Sequence, residues 1–233
     1  MITFPVPVRV CQRAFKPVRR KRIVKAVVTS KIAGLTDKIM QGSPTTRDKA
    51  LAIWRHVRSM PYDVFGVTRD DPDTLADGAD PMTCYGKSIV QASMLESAKI
   101  PWRFEISSCP SHAVEHTIRA MTNSNPLVVK MFDNFRGLFT GKSLVHTAVE
   151  ANIDGKWTRM DSTIPEDVCN RIKDPGKREK CLSLDNVTAM HECKTVGHAL
   201  FLPKNIVGAW NAVAAAGTVA NSFLKGMLHR EPA

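Results

Sequence analysis

Residues 144 to 161, LVHTAVEANIDGKWTRMD, alternate apolar and polar side chains in two arms on either side of Asp154-Gly155. An Asp-Gly pair flanked by such alternation is the strongest short-range hairpin signal, because a two-residue turn needs positive φ at both central positions. The turn also fixes the register: Asn152 faces Trp157, Val149 faces Met160 and Ala148 faces Asp161. His146 then stands two residues from the partner of Asp161, on the same face and within diagonal reach of it. An antiparallel pair of strands that brings a histidine to an aspartate is the first requirement on the fold.

A helix that begins with a cysteine is the second. In TCYGKSIVQASMLESAKIPWRF, Thr83 to Phe104, the residues Ile89, Ala92, Leu95 and Ala98 recur at three-residue steps, and Val90, Met94 and Ile100 widen the stripe. This predicts an amphipathic helix with Thr83 as N-cap, closing at Ile100-Pro101. Cys84 falls in its first turn, where unpaired N–H groups and the positive end of the dipole pull a thiol below its ordinary pKa of about 8.5. The residue type alone permits either a nucleophile or a buried structural thiol.

Upstream, Ser43-Pro44 or Thr46 offers a start for another helix, with Ala50, Leu51, Trp54, Val57 and Met60 at helical spacing and Pro61 as its stop. The stretch YDVFGVTRDDPDTLADGADPM reads as loop. WRFEIS after Pro101 reads as a strand, and residues 107–143 show no period, as expected of a long insert or flap. Residues 1–42 make a basic N-terminal arm, its first 28 residues interrupted by Pro5, Pro7 and Pro17. Residues 43–165 make the core, and 166–233 a C-terminal extension. Within it, Ile206, Trp210, Val213, Gly217, Ala220, Leu224 and Met227 form a heptad-like stripe. That helix is too weakly apolar to favour a membrane and suits packing on the domain or on a second copy of the chain.

At 233 residues and 43% hydrophobic content the chain can bury a core without staples. The beginning of the chain lacks an apolar h-region and a small-residue cleavage site, so a reducing, cytoplasmic setting is expected. No C-x-x-C pair occurs among the six cysteines, and Cys169, Cys181 and Cys193, spaced by twelve, are expected as free thiols. Pairing within Cys169 to Cys193 stays open for an exported chain. The net charge of +11 is concentrated in Arg13–Lys25 and Lys173–Lys180 and implies an acidic partner. Aromatics at 6%, not interleaved with the basic runs, disfavour nucleic acid.

A cysteine at a helix start followed by a hairpin carrying His and then Asp is an arrangement for nucleophilic acyl transfer. On these residues the chain resembles the transglutaminase-like superfamily of papain-like fold. That family's cysteine is followed at sixteen, seventeen and nineteen residues by Ile, Pro and Arg, here Ile100, Pro101 and Arg103. Its histidine begins an H-A-W-x-E-like strand that reaches a D-G-x-W turn and ends at Asp; here His146, Glu150, Asp154, Gly155, Trp157 and Asp161 follow in that order. Thr45 to Asp63 looks like the helix that opens the family's domain. The resemblance covers roughly residues 43–165 and implies an α+β fold, with the catalytic helix on an antiparallel sheet. It implies Cys84 as nucleophile, His146 as base and later acid, and Asp161 as the group orienting the imidazole. No cofactor or metal is expected, and the substrate is a protein, peptide or carrier-bound acyl group. Met82 stands where the family often has Gly, Lys99 replaces a helix-capping Gly, and no upstream Trp or Gln can be assigned as a second oxyanion donor.

Two other readings compete. His112-Ala-Val-Glu115-His116 matches the H-x-x-E-H of zinc peptidases, with Glu192 as a third ligand, although Pro110 and Ser111 leave little helix before it. His112 as the thiol's partner is disfavoured, since Leu127 and not Asp stands fifteen residues on. A binding module that keeps the fold without turnover is the alternative of another class.

Overall fold

The computed structural model describes residues 23–24, 26–63, 71–110, 143–191, 193–199 and 202–203. After a short strand β1 (Ile23–Val24), each of the next four helices starts at a side-chain oxygen able to cap it. Thr29 accepts from the Ile32 N–H at 3.1 Å to open α1 (Ser30–Met40). Thr45 and Asp48 form a reciprocal capping box at α2 (Thr46–Ser59). Asp71 caps the short α3 (Pro72–Ala76), with Pro72 in the first turn. Thr83 caps α4 (Cys84–Ser97), accepting from the Gly86 N–H. Helix α1 lies in the stretch expected as a basic arm and α3 in the stretch expected as loop; α1 carries Ile32, Leu35 and Ile39 at helical spacing, and these pack into the core.

Helix α4 is not amphipathic in its surroundings: every residue from Cys84 to Leu95 is buried. Its polar side chains are accommodated by hydrogen bonds to other segments, as buried polar groups require. Ser88 Oγ donates to Thr147 O at 3.0 Å, Gln91 Nε2 donates to Met160 O at 2.9 Å, and Ser93 Oγ accepts from Val27 N–H at 3.1 Å. The expected polar face is therefore an inner face, enclosed because α1, α2 and α3 pack on one side of α4 and the sheet on the other. The helix ends in a Schellman turn, with Ile100 N–H donating to Leu95 O and Lys99 N–H to Glu96 O. Lys99 holds φ 55 there, a conformation that costs a non-glycine residue about 1 kcal/mol, so Lys99→Gly is expected to raise stability by about that amount in urea denaturation.

The remaining strands are β2 (Trp102–Pro110), β3 (Ser143–Ile153), β4 (Lys156–Met160), β5 (Lys194–Ala199) and β6 (Leu202–Pro203). Four of them form an antiparallel sheet in the order β4-β3-β2-β5, and β1 pairs with β6 separately. The architecture is thus α+β, with the Cys84 helix packed on an antiparallel sheet. Strand β2 runs three residues beyond WRFEIS, because Ser108, Cys109 and Pro110 also pair with β3, so the stretch expected as an insert from 107 begins in the sheet. Strand β5, from the stretch read as a C-terminal extension, lies in the same sheet.

Helices α5 (Glu166–Asn170), α6 (Pro175–Leu182) and α7 (Asn186–His191) build a second, smaller core around Ile164, Val168, Val187 and Met190. Two disulfides run through it, Cys109–Cys193 and Cys169–Cys181. This corrects the expectation of free thiols. Pairing of Ser108 with Lys194 brings Cys109 opposite Cys193, and packing of α5 on α6 brings Cys169 to Cys181, with Cα atoms 4.3 Å and 5.6 Å apart. Regular spacing in sequence carries no information about either approach. Titration of the denatured, unreduced protein is expected to find four thiols fewer than titration after reduction. Among the described residues no helix is long and apolar enough to cross a membrane.

Candidate functional site

The hairpin forms in the expected register, with Val149 opposite Met160 and Asn152 opposite Trp157. Asp154 and Gly155 take φ of 53 and 84, the positive values a two-residue turn demands. That register carries His146 toward Asp161, and His146 Nε2 lies 2.8 Å from Asp161 Oδ2 with both side chains buried. The Cys84 thiol, at the first residue of α4, hydrogen-bonds to the same imidazole. With Nε2 on the carboxylate, Nδ1 is the nitrogen left for the sulfur. Cys84, His146 and Asp161 are therefore brought together from three separate segments. His112, Glu115, His116 and Glu192, the alternative zinc set, lie outside the described residues, as do Cys11 and the Ala-rich stretch 205–228.

Asp161 is held on every polar atom. Its Oδ1 accepts from Thr163 N–H at 3.0 Å, its N–H donates to Leu184 O at 2.7 Å, and its carbonyl accepts from Trp54 Nε1 at 3.0 Å. A carboxylate so fixed cannot turn away from the imidazole. Burial would raise its pKa, but the charge and hydrogen bond of His146 and the Thr163 contacts outweigh this and keep it ionised. For His146, burial works against the cation, while the charge and hydrogen bond of Asp161 and the neighbouring sulfur push its pKa up to about 10. Burial likewise raises the Cys84 thiol; the hydrogen bond and charge of His146, then Thr147, overcome it and leave the thiol below its ordinary value. The two shifts run in opposite directions and both move the pair toward thiolate and imidazolium.

Several groups around the triad carry no sequence signal. Tyr62 is half-buried, and desolvation together with the charges of Cys84 and Asp161 pushes its phenol well above the ordinary range. Lys87, one turn beyond Cys84, would read as solvent-facing, yet it is fully buried. Its Nζ donates to Arg58 O at 3.1 Å and Ser162 O at 3.3 Å and lies over the Tyr62 ring. Burial lowers its pKa to about 7, the charge of Asp161 offsetting only part of the desolvation. A lysine depressed in the folded state makes the fold gain stability as pH rises from about 7 toward the ordinary lysine range. Lys87→Met is expected to lose that gain, so wild type improves relative to the variant between denaturation curves at pH 6.5 and pH 9.

The motif residues Arg103 and Glu150 pair across β2 and β3 at 2.6 Å, and Arg103 stacks over Trp157 at 4.3 Å. Beside them, buried Glu105 takes hydrogen bonds from Arg159, Ser107 and Thr195, and His198 Nε2 lies 3.2 Å from Glu150. This network links β2, β3, β4 and β5 next to the strand that carries His146. Among the described residues, no group of three or more His, Cys, Asp or Glu is placed to hold a metal.

A scan against protein-family models finds no match, and a search of curated proteins finds none. Among solved structures, the chain is similar to one described as a "Putative Cysteine Protease" from Cytophaga hutchinsonii, with 18% identity and a TM-score of 0.40. The similarity covers 57% of this chain and 37% of that one, so the chain spans little more than a third of that structure's matched partner.

Proposed function

We propose that the chain is a cysteine-dependent acyl-transfer enzyme of transglutaminase-like type, with Cys84 as nucleophile, His146 as acid and base, and Asp161 as the orienting carboxylate. The observation that carries this reading is the buried chain of hydrogen bonds from the Cys84 thiol through His146 to Asp161, 2.8 Å at its second link. The sulfur pair attacks the carbonyl carbon of an amide or thioester, and the carbonyl π pair moves onto oxygen. The backbone N–H of Cys84, in the first helical turn where donors have no partner within the helix, stabilises that oxyanion. On collapse the C–N or C–S bond breaks and the proton on His146 passes to the leaving amine or thiolate, which leaves His146 neutral. Water or an amine then gives its proton to His146 and attacks the acyl-enzyme, which regenerates the thiol.

A protein, peptide or carrier-bound acyl group is the substrate class, with an acidic carrier favoured by the net charge of +11. Hydrolysis is the favoured outcome over amine transfer. Two disulfides, with Cys84 the free thiol among the described residues, suit an oxidising compartment better than the cytoplasm. Intact-mass measurement after incubation with peptide amides and acyl thioesters tests the reading. An acyl adduct on Cys84, absent in Cys84→Ala and blocked by iodoacetamide but not by a chelator, is expected. Turnover that survives Cys84→Ala would overturn it.

A further inference from the structure

The reading above leaves the sulfur with one side-chain partner, His146, but a second group lies against it. Thr147 follows His146 on β3, pairs with Ile106 of β2 and is 1% exposed. Its carbonyl accepts the Ser88 hydroxyl at 3.0 Å, which docks this point of the strand onto the first turns of α4. Its own hydroxyl is buried and, among the described residues, has no hydrogen-bonding partner. A buried donor with no acceptor is costly, and in a folded chain it calls for an explanation. The neighbouring Cys84 sulfur supplies one: both the hydroxyl and the backbone of Thr147 lie where they favour the charged sulfur over the neutral one.

We propose that the Thr147 hydroxyl is a donor to the Cys84 thiolate, left unpartnered beside the neutral thiol and engaged when the sulfur carries charge. It is a specificity of state and not of substrate: a thiol is a poor acceptor, whereas a thiolate accepts a charge-assisted hydrogen bond. The inference rests on Cys84 being the nucleophile. The other titratable groups at the sulfur are His146 on β3 and Tyr62 before α3, with Asp161 bound to His146 and Lys87 lying over the Tyr62 ring. None of these would change in a substitution confined to the Thr147 hydroxyl.

The test is the pH dependence of Cys84 alkylation by iodoacetamide, in which the sulfur–carbon bond forms as the carbon–iodine bond breaks and iodide leaves. Peptide mass analysis separates Cys84 from any other thiol. Thr147→Val replaces an unpaired hydroxyl by a methyl and is expected to fold at least as stably as the wild type. Its alkylation midpoint is expected to rise by about one pH unit. Below the wild-type midpoint the rate falls several-fold, the roughly tenfold loss of thiolate being partly offset by a more nucleophilic sulfur. Thr147→Ser, which keeps the hydroxyl, is expected to restore the profile and serves also if the valine variant folds poorly. A Thr147→Val profile that coincides with the wild type, or a Thr147→Ser profile that matches the shifted one, would overturn the inference. If instead wild-type Cys84 alkylates no faster than an ordinary thiol at pH 6, the nucleophile reading itself fails.

Discussion

Asp161→Asn lowers turnover on the order of 10^3-fold or more, with the protein still folded, because asparagine keeps the shape of the carboxylate and removes its charge. The Oδ2 of Asp161, 2.8 Å from His146 Nε2, is the principal group that holds the imidazole as a cation. Without it the alkaline limb of the activity profile moves down from about 10 toward the ordinary histidine range. The stability effect has a defined sign. A histidine raised in the folded state contributes stability that is fully present below its unfolded pKa and lost as pH rises through about 10. The difference in stability between wild type and Asp161→Asn is therefore expected to be largest near pH 6 and to shrink as pH rises toward about 10. A pH profile of the variant, read beside urea denaturation at neutral and alkaline pH, checks both. An unshifted alkaline limb would remove Asp161 from the site.

The second large effect lies away from the chemistry. Arg58 in the last turn of α2 is buried, and its guanidinium donates to Ile164 O at 3.2 Å, Leu182 O at 3.1 Å and Cys181 O at 3.1 Å. The same group stacks over Trp54, and the Arg58 carbonyl accepts from Lys87. One side chain therefore ties α2 to the segment that follows Asp161 and to the Cys169–Cys181 crosslink. Arg58→Met removes a charged donor from three carbonyls, leaving Asn186 Nδ2 as a donor to Ile164 O and Cys181 O, and is expected to cost about 2–3 kcal/mol, read as a lower urea midpoint without a change in slope. Arg58→Lys is expected to recover little, since one ammonium cannot match a planar fork directed at three acceptors. A loss below about 1 kcal/mol would mean that these carbonyls reach water or other donors.

Arg58 and Lys87 mark where sequence reading stops. Both sit on helices whose ends and caps are legible, yet a basic residue on a helix reads as solvent-facing because charge is rarely buried without a partner. Here the partners are backbone carbonyls of residues 162–182, far away in sequence and invisible in any local pattern. Thr147 belongs with them. In sequence it is one more alternating residue of a strand, and only its lack, among the described residues, of a hydrogen-bond partner beside the sulfur sets it apart. The disulfides were misread for the same reason, since the pairing of Cys109 with Cys193 follows from the β2–β5 register and not from spacing.

By itself the sequence determined the hairpin, its register and turn, the helix that begins at Cys84, and the nearness of His146 to Asp161. Each follows from period, turn chemistry or capping within about twenty residues of chain. Only the tertiary structure decided that α4 is enclosed on all sides, and that the imidazole reaches the thiol across 62 residues of sequence. It also decided which cysteines are crosslinked and which, among the described residues, remains free. The physical reason is that burial and charge coupling are set by what packs around a side chain. Those neighbours arrive from segments whose local patterns say nothing about one another.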